Sequence, residues 1–383
     1  MKKVNPFLRP SKCLIFIALK ISMKIAFILL PIVYLLGNGY LFLRSLQALS
    51  FLPLWGKVVF GLLFWLIAFS LFAAIGLREF ALPEWFLRTL HTAGSVWMVF
   101  LLYAVLLLIV ADVVKRFVPT MGHSLWYALP AACLILVYGY INYKHPRVEE
   151  IKVTTARKTG GQTLRIVAVS DVHLGYGTGV SALQKYVDLI NAQQPDVVLI
   201  AGDLIDNSIQ PLIGKPFDKV LAQIHAPQGI YMVPGNHEYI SDVSKVKQYL
   251  KQTPITLLQD SIVTLPGGIQ LLGRDDRSNT HRQPLSWLLE RTDRSRPVIV
   301  LDHQPYHLAQ ADSLQVDLMI CGHTHRGQVF PLNLMVDRMY EQSHGYRQWQ
   351  HAHIWVSSGL SLWGPPFRIG THSDLAVIEI TGA

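Results

Sequence analysis

Four long runs without a charged residue fill most of the first 143 positions and restrict what the chain can fold into. Ile25–Leu43 has 19 residues, Val58–Leu77 has 20, Thr89–Ala111 has 23 and Phe117–Tyr143 has 27. A helix needs about 20 apolar residues to cross a hydrocarbon core of ~30 Å. Helices of a soluble bundle keep a polar face, and these runs have none. They predict a transmembrane region over 1–143 with spans at about 25–43, 58–77, 89–111 and 120–143. Pro31 and Pro130 fall inside two runs, which membrane helices tolerate when neighbours satisfy the freed carbonyls. Lys20 and Lys24 interrupt the leading apolar stretch and no A-x-A pattern follows, so the first span reads as uncleaved.

Composition agrees. The 383 residues are 51% hydrophobic and 15% charged, against roughly 25% charged in an ordinary soluble domain. This excludes a disordered chain and argues against a wholly soluble one. Residues 1–150 hold 14 Lys+Arg against 5 Asp+Glu, and residues 151–383 hold 20 against 20. The net charge of +9 therefore flanks the apolar runs, as membrane segments require. The neutral second part lacks the basic stripe of a nucleic-acid binder, which makes nucleic acid an unlikely partner.

With four spans, 13 Lys/Arg fall on the side of both termini and 4 on the other. The positive-inside rule places the termini in the cytoplasm, so the chain reads as a multi-pass integral protein of the bacterial inner membrane. The runs contain no Asp, Glu, Lys or Arg, which argues for an anchor over a transporter. Cys13, Cys133 and Cys321 form no CxxC pair and imply neither a disulfide framework nor a thiolate metal site.

Beyond a charged linker at 144–163, the pattern changes to short β-branched runs alternating with helical stretches, the signature of an α/β domain over 164–383. Leu164–Ser170, Asp196–Ile200, Gly229–Val233, Pro297–Leu301 and Val316–Ile320 read as buried strands, with Ile354–Ser357 and Ala376–Ile380 near the end. A polar cluster follows each of the first five: Asp171 and His173; Asp203 and Asp206; Asn236 and His237; Asp302 and His303; His323 and His325. The carboxyl ends of strands form the usual ligand crevice of α/β sheets. Oxygen and imidazole donors without thiolates suit a divalent ion such as Mn, Fe or Zn. Seven candidate ligands among these ten exceed one ion and suit two, the arrangement that clamps an in-line phosphoryl displacement. Glycines before Asp203, Asn236 and His323 would let the backbone turn sharply there. Each motif alone is common; five in order at strand ends are not. The residues alone leave His237 as either a ligand or an acid/base.

These blocks, with Gly273-Arg274-Asp275-Asp276 and the run GHTHRGQVFP, make the segment Leu164–Ile380 resemble the calcineurin-like metallophosphoesterases, and four helices before it are similar to their membrane-anchored bacterial branch. The resemblance implies a four-layer fold, two β-sheets packed between helices. It also implies Asp171, His173 and His325 on one metal, Asp203 bridging, and Asn236, His303 and His323 on the second. His237 resembles the family histidine that stabilises or protonates the leaving oxygen. Asp206 and Asp302 are candidates to orient ligand histidines, and Arg274, Arg326 and Arg368 to contact substrate phosphate. Trp363–Phe367 reads as core in preference to a loop at the bilayer.

The function expected is hydrolysis of a phosphoester or pyrophosphate carried by a membrane lipid. The alternatives are a soluble nucleotide-type diester and a metal-binding regulatory module without turnover.

Overall fold

The computed structural model describes residues 12–77, 80 and 82–382, with side chains from Leu29 onward. Lys2, Lys3, Arg9 and Arg78, four of the charges used for orientation, lie outside the described residues, as do residues 1–11 of the expected transmembrane region. The chain divides into two compact units, Met1–Leu82 with Ala93–Leu134, and Pro83–Thr92 with Ile135–Ala383.

Helices α1 (Lys12–Ala48), α2 (Leu54–Gly76), α3 (Glu84–Phe117) and α4 (Leu125–Tyr143) carry the four apolar runs. Each contains a stretch long and apolar enough to cross a membrane, from Leu29–Ala48 in α1 to the whole of α4. Their outward surfaces remain apolar: Leu36, Leu62 and Leu134 are all exposed. Within the first unit, Asn38 is buried and bonded from Trp97 Nε1 at 2.9 Å, and Arg44 meets Asp112 at 2.6 Å.

The remaining elements, in chain order, are β1 (Arg147–Thr155), β2 (Leu164–Val169), α5 (Val180–Ala192), β3 (Val197–Ile200), α6 (Phe217–Leu221), β4 (Ile230–Met232), α7 (Asn236–Ile240), α8 (Val243–Leu250), β5 (Ile255–Leu257), β6 (Ser261–Thr264), β7 (Gln270–Gly273), α9 (Leu285–Leu289), β8 (Val298–Leu301), α10 (Leu308–Ser313), β9 (Leu318–Cys321), α11 (Leu332–Met339), β10 (Gly345–Gln348), β11 (His353–Val356) and β12 (Asp374–Gly382). The strands form two six-stranded sheets, in the orders β1-β12-β2-β3-β4-β5 and β10-β11-β9-β8-β7-β6.

Alternation along the central strands explains the layering. In β2, Ile166 and Ala168 enter the core between the sheets, while Val167 and Val169 pack outward with Leu183, Val187 and Val246 of α5 and α8. In β8, Ile299 and Leu301 face the same central core, while Val298 and Val300 pack with Leu285, Leu288 and Leu308 of α9 and α10. Strands buried on both faces need helices on both, hence the four layers, two sheets packed between helices, that the resemblance implies.

One sequence expectation needs correction. The stretch 144–163, read as a linker, contains β1, which pairs in parallel with β12 along nine residues. Glu149, Glu150 and Lys152 made it look solvated, but Ile151, Val153 and Thr155 alternate with Glu150 and Lys152 and are buried, and half-buried Glu149 on their face accepts from Trp355 Nε1 at 2.9 Å. It is an edge strand, where outward charges discourage further pairing.

Candidate metal centre

The centre is assembled where β2, β3, β4, β8 and β9 end. Asp171, His173, Asp203, His323 and His325 all adopt positive φ, between 46° and 73°. Left-handed backbone at a non-glycine residue costs about 1–3 kcal/mol and collects at functional sites. The expected role of the preceding glycines is thereby revised. Gly202 has positive φ, but Gly235 and Gly322 do not. They are required by close approach: a Cβ at Gly322 would stand 1.9 Å from Ser170 Oγ, and one at Gly235 2.1 Å from Asp203 Oδ1. The turn is made by the chemistry-bearing residues themselves.

Two groups of donors face each other. In the first, Asp171, His173 and His325 lie within reach of a common point; His173 Nε2 and His325 Nε2 are 3.0 Å apart, and His325 Nε2 is 3.3 Å from Asp171 Oδ1. In the second, Asp203, His303 and His323 converge. His303 Nε2 is 3.1 Å from both Asp203 Oδ2 and Asn236 Oδ1, and His323 Nδ1 is 2.8 Å from Asn236 Oδ1. Asp203 Oδ2 also lies 3.9 Å from His173 Nε2, between the two groups. His303 Nδ1 sits 2.7 Å from the carbonyl of Ala201, which places its proton there and leaves Nε2 a lone pair. Ring nitrogens facing one another and carboxylate oxygens without intervening donors are an arrangement that divalent cations resolve, so the residues present fit the metals such a donor set implies.

The electrostatics agree. Burial opposes the charge of Asp171 and Asp203, yet His325 beside the first and His303 beside the second hold both carboxyls well below their ordinary range. Burial opposes a charged His173 too, but Asp171, Asp206 and Asp203 push it up to about 10. Burial and the neighbouring His303 push His323 down to about 4.

His237 stands beside the first group, its ring edge-on to His173 at 4.6 Å. Asp206 Oδ1 lies 3.3 Å from His237 Nδ1 and 3.4 Å from His173 Nδ1, so one carboxylate addresses both rings. Asp302 does something different from the histidine-orienting role expected: it meets Arg274 at 2.8 Å and also Arg282. Arg274 is thereby committed away from a phosphate. Arg326 faces Asp337 at 3.7 Å. Arg368 is completely buried and donates to the carbonyls of His325, Ser358, Gly359 and Ser361 at 2.5–3.1 Å, so it braces a loop where a substrate contact was expected. The Trp363–Phe367 segment divides: Phe367 is buried, while Trp363 is exposed and 6.3 Å from the His237 ring.

Glu238 was not singled out from sequence. It is completely buried and accepts from the backbone N–H groups of Asp203 (2.9 Å), Ile205 (3.0 Å) and Gly235 (2.7 Å). It thus ties the loops after β3 and β4 together. Its place three residues after Gly235, at the start of α7, is the reciprocal helix-capping position and was the available signal.

Residues 164–327 match the family model for calcineurin-like phosphoesterases. An uncharacterized metallophosphoesterase of Campylobacter jejuni is 31% identical over 65% of this chain and 67% of its own length. The chain belongs to this family of calcineurin-like phosphoesterases. An uncharacterized metallophosphoesterase of Helicobacter pylori is 32% identical over 63% of this chain, and the alignment spans 65% of that relative. A transmembrane protein with metallophosphoesterase domain from Danio rerio is 32% identical over 67% of this chain and 62% of its own. A dimetal phosphatase of Danio rerio matches in structure with a TM-score of 0.37 at 15% identity, over 54% of this chain and 93% of that one. Beside this domain the chain carries four helices long and apolar enough to cross a membrane.

Proposed function

We propose that the chain is a membrane-anchored phosphoesterase that holds two divalent ions and hydrolyses a phosphoester or pyrophosphate bond of a lipid-borne substrate at the cytoplasmic leaflet. The observation that carries the reading is the pair of facing donor groups with Asp203 between them and His237 alongside. Asp171, His173 and His325 would hold one ion, Asn236, His303 and His323 the other, and Asp203 both. The donor set suits Mn, Fe or Zn. When bound, the ions supply Lewis-acid stabilisation of the phosphoryl oxygens and acidify the attacking water.

The chain's own residues do the rest. Asp206 faces His237 Nδ1 from 3.3 Å and favours the proton there on the charged ring, so that Nε2 would give a proton to the departing oxygen. Glu238 and the strained turns preset the donors, so little reorganisation accompanies the reaction. Two doubly charged ions against Asp171 and Asp203 leave a net positive centre, which attracts phosphate although Arg274 and Arg368 are engaged elsewhere.

The lipid reading is supported by the short connection: β1 begins at Arg147, shortly after α4 ends at Tyr143. Glu84, opening α3, meets Lys215 of the second unit at 2.5 Å, which favours the start of α3 and the end of α4 sharing a membrane side. With the 13-to-4 charge imbalance, that side is the cytoplasm. A soluble nucleotide-type substrate is favoured by one feature, the Tyr306–Tyr340 ring pair beside His323.

The test offers detergent-purified full-length protein with manganese a generic phosphodiester and a UDP-linked diacylated sugar. Preferential lipid turnover supports the proposal. Turnover of the generic diester alone removes the lipid part. Activity on neither favours a regulatory module without turnover.

A further inference from the structure

Helix α11 is built inside out. Its apolar residues Leu332, Met335, Val336 and Met339 recur at the spacing that makes one stripe of a helix, normally the stripe that faces a core. Most of that stripe faces away: Met335 is 61% exposed and Met339 65%, Leu332 and the neighbouring Leu334 are exposed too, and Val336 alone is half-buried. The inward side carries buried Asn333 beside Val336, and exposed Asp337 ties the helix down, accepting from Ser343 Oγ at 2.5 Å and facing Arg326 at 3.7 Å. So many large apolar side chains left outward on one short helix mark a surface that meets something other than water.

The neighbourhood says what covers it. The last turns of α4 belong to the same compact unit as α11. Gly139 O accepts from Arg368 N at 3.0 Å, and Asn142 Nδ2 donates to the carbonyls of Arg368 and Thr371 at 2.8 Å. Ile369, next along, packs on Gly139 and bridges Val329, and Phe330 N donates to Ile369 O at 2.7 Å. α11 begins two residues later. Two backbone hydrogen bonds, Gly139 to Arg368 and Ile369 to Phe330, therefore link a membrane-crossing helix to the residue two before the stripe. Arg338 is exposed in the last turn, a position suited to lipid phosphates.

We propose that the exposed stripe of α11 lies in the headgroup layer of the bilayer that α4 crosses, its partner being the phospholipid surface itself. An interfacial helix buries its apolar face ~5–10 Å into that boundary. Tyr340, directly after α11, has its ring 6.5 Å from that of His323, so the metal centre opens at the level of the headgroups. The inference requires only that α4 crosses a membrane; it stands or falls separately from the chemistry of the site.

The test uses full-length protein in phosphatidylcholine–phosphatidylglycerol vesicles, with Cys13→Ser and Cys133→Ala to clear reactive thiols. A bimane probe is placed at Met335→Cys or Met339→Cys, and at the exposed control position Lys251→Cys. Doxyl-labelled lipid is expected to quench the α11 probes at least twofold more than the control, and aqueous iodide at least threefold less. Replacing Leu332, Met335 and Met339 together by Glu is expected to cancel both differences for a probe at Leu334→Cys. Probes on α11 that behave like the control overturn the proposal. So do probes shielded from both quenchers, which would mean a protein partner, and a triple-Glu variant that remains lipid-quenched.

Discussion

The two units bury polar groups in opposite ways. In the membrane unit each buried or half-buried polar contact named above closes on itself: Trp97 on Asn38, Arg44 on Asp112. In the phosphoesterase unit, Asp171, His173, Asp203 and His303 are buried side by side with their donor atoms aimed at common points. Closed pairs hold helices together; unclosed ones are a capacity for something else. The difference separates an anchor from a reactive centre on physical grounds.

The sharpest way to break the comparison is to close the open centre. Asp203→Asn, which weakens both donor groups at once, is expected to lower turnover at least ~10³-fold, ~4 kcal/mol in barrier, and to remove bound metal. Activity assays with elemental analysis decide it, and near-wild-type metal content would end the bridging role. His237→Ala should cost about 10²–10⁴-fold while metal content is unchanged. Retained turnover would show that His237 moves no proton.

The third prediction concerns protons. His173, pushed up to about 10, carries a proton in the metal-free centre that an ion must expel. Affinity should therefore rise with pH, by up to about tenfold per unit for that proton, at all pH values up to about 10. Calorimetry in buffers of different ionisation enthalpy should count at least one proton released near neutral pH, and none would contradict the assignment. The sign for stability is opposite. In the metal-free chain the raised value stabilises the fold below 6.5, and that contribution is lost as pH rises through about 10.

Glu238→Gln replaces an oxygen facing backbone donors with a group that cannot accept, at a cost of about 1–3 kcal/mol. Thermal unfolding of the metal-free protein should register it as a drop of several degrees; an unchanged midpoint would mean that the brace is dispensable. The smallest effect belongs to the other side of the comparison. Trp97→Phe, which opens the contact with Asn38, should destabilise the helices by only about 0.6–2 kcal/mol in detergent unfolding and leave turnover intact.

Much of the fold was legible in the sequence because two signals are strong at short range. Uncharged runs of 19 residues or more have one stable environment, and β-branched runs ending in Asp, His or Asn mark strands by both propensity and punctuation. β1 escaped because an edge strand dresses its outer face in charge, and Glu150 with Lys152 looked like solvated chain. At the candidate site, residue types at strand ends were readable, but their division of labour was not. Asp206 and Asp302 occupy similar positions in their motifs; one faces two imidazoles and the other two guanidinium groups, a distinction set by residues far away in sequence. Arg368 looked like a phosphate contact because nothing local announces complete burial.

Arg368 also joins two things usually considered apart. Its backbone N–H is taken by Gly139 and its carbonyl by Asn142, while its guanidinium grips the carbonyl of His325. One residue thus spans from the last turns of α4 to a histidine of the metal centre. A soluble fragment cut at Lys144 would sever that tie, leaving a buried arginine to hold its histidine without the helix against which its own backbone is seated. A fragment that begins at Ile135 keeps the fastening whole, at the expense of carrying nine mostly apolar residues, 135–143, into water.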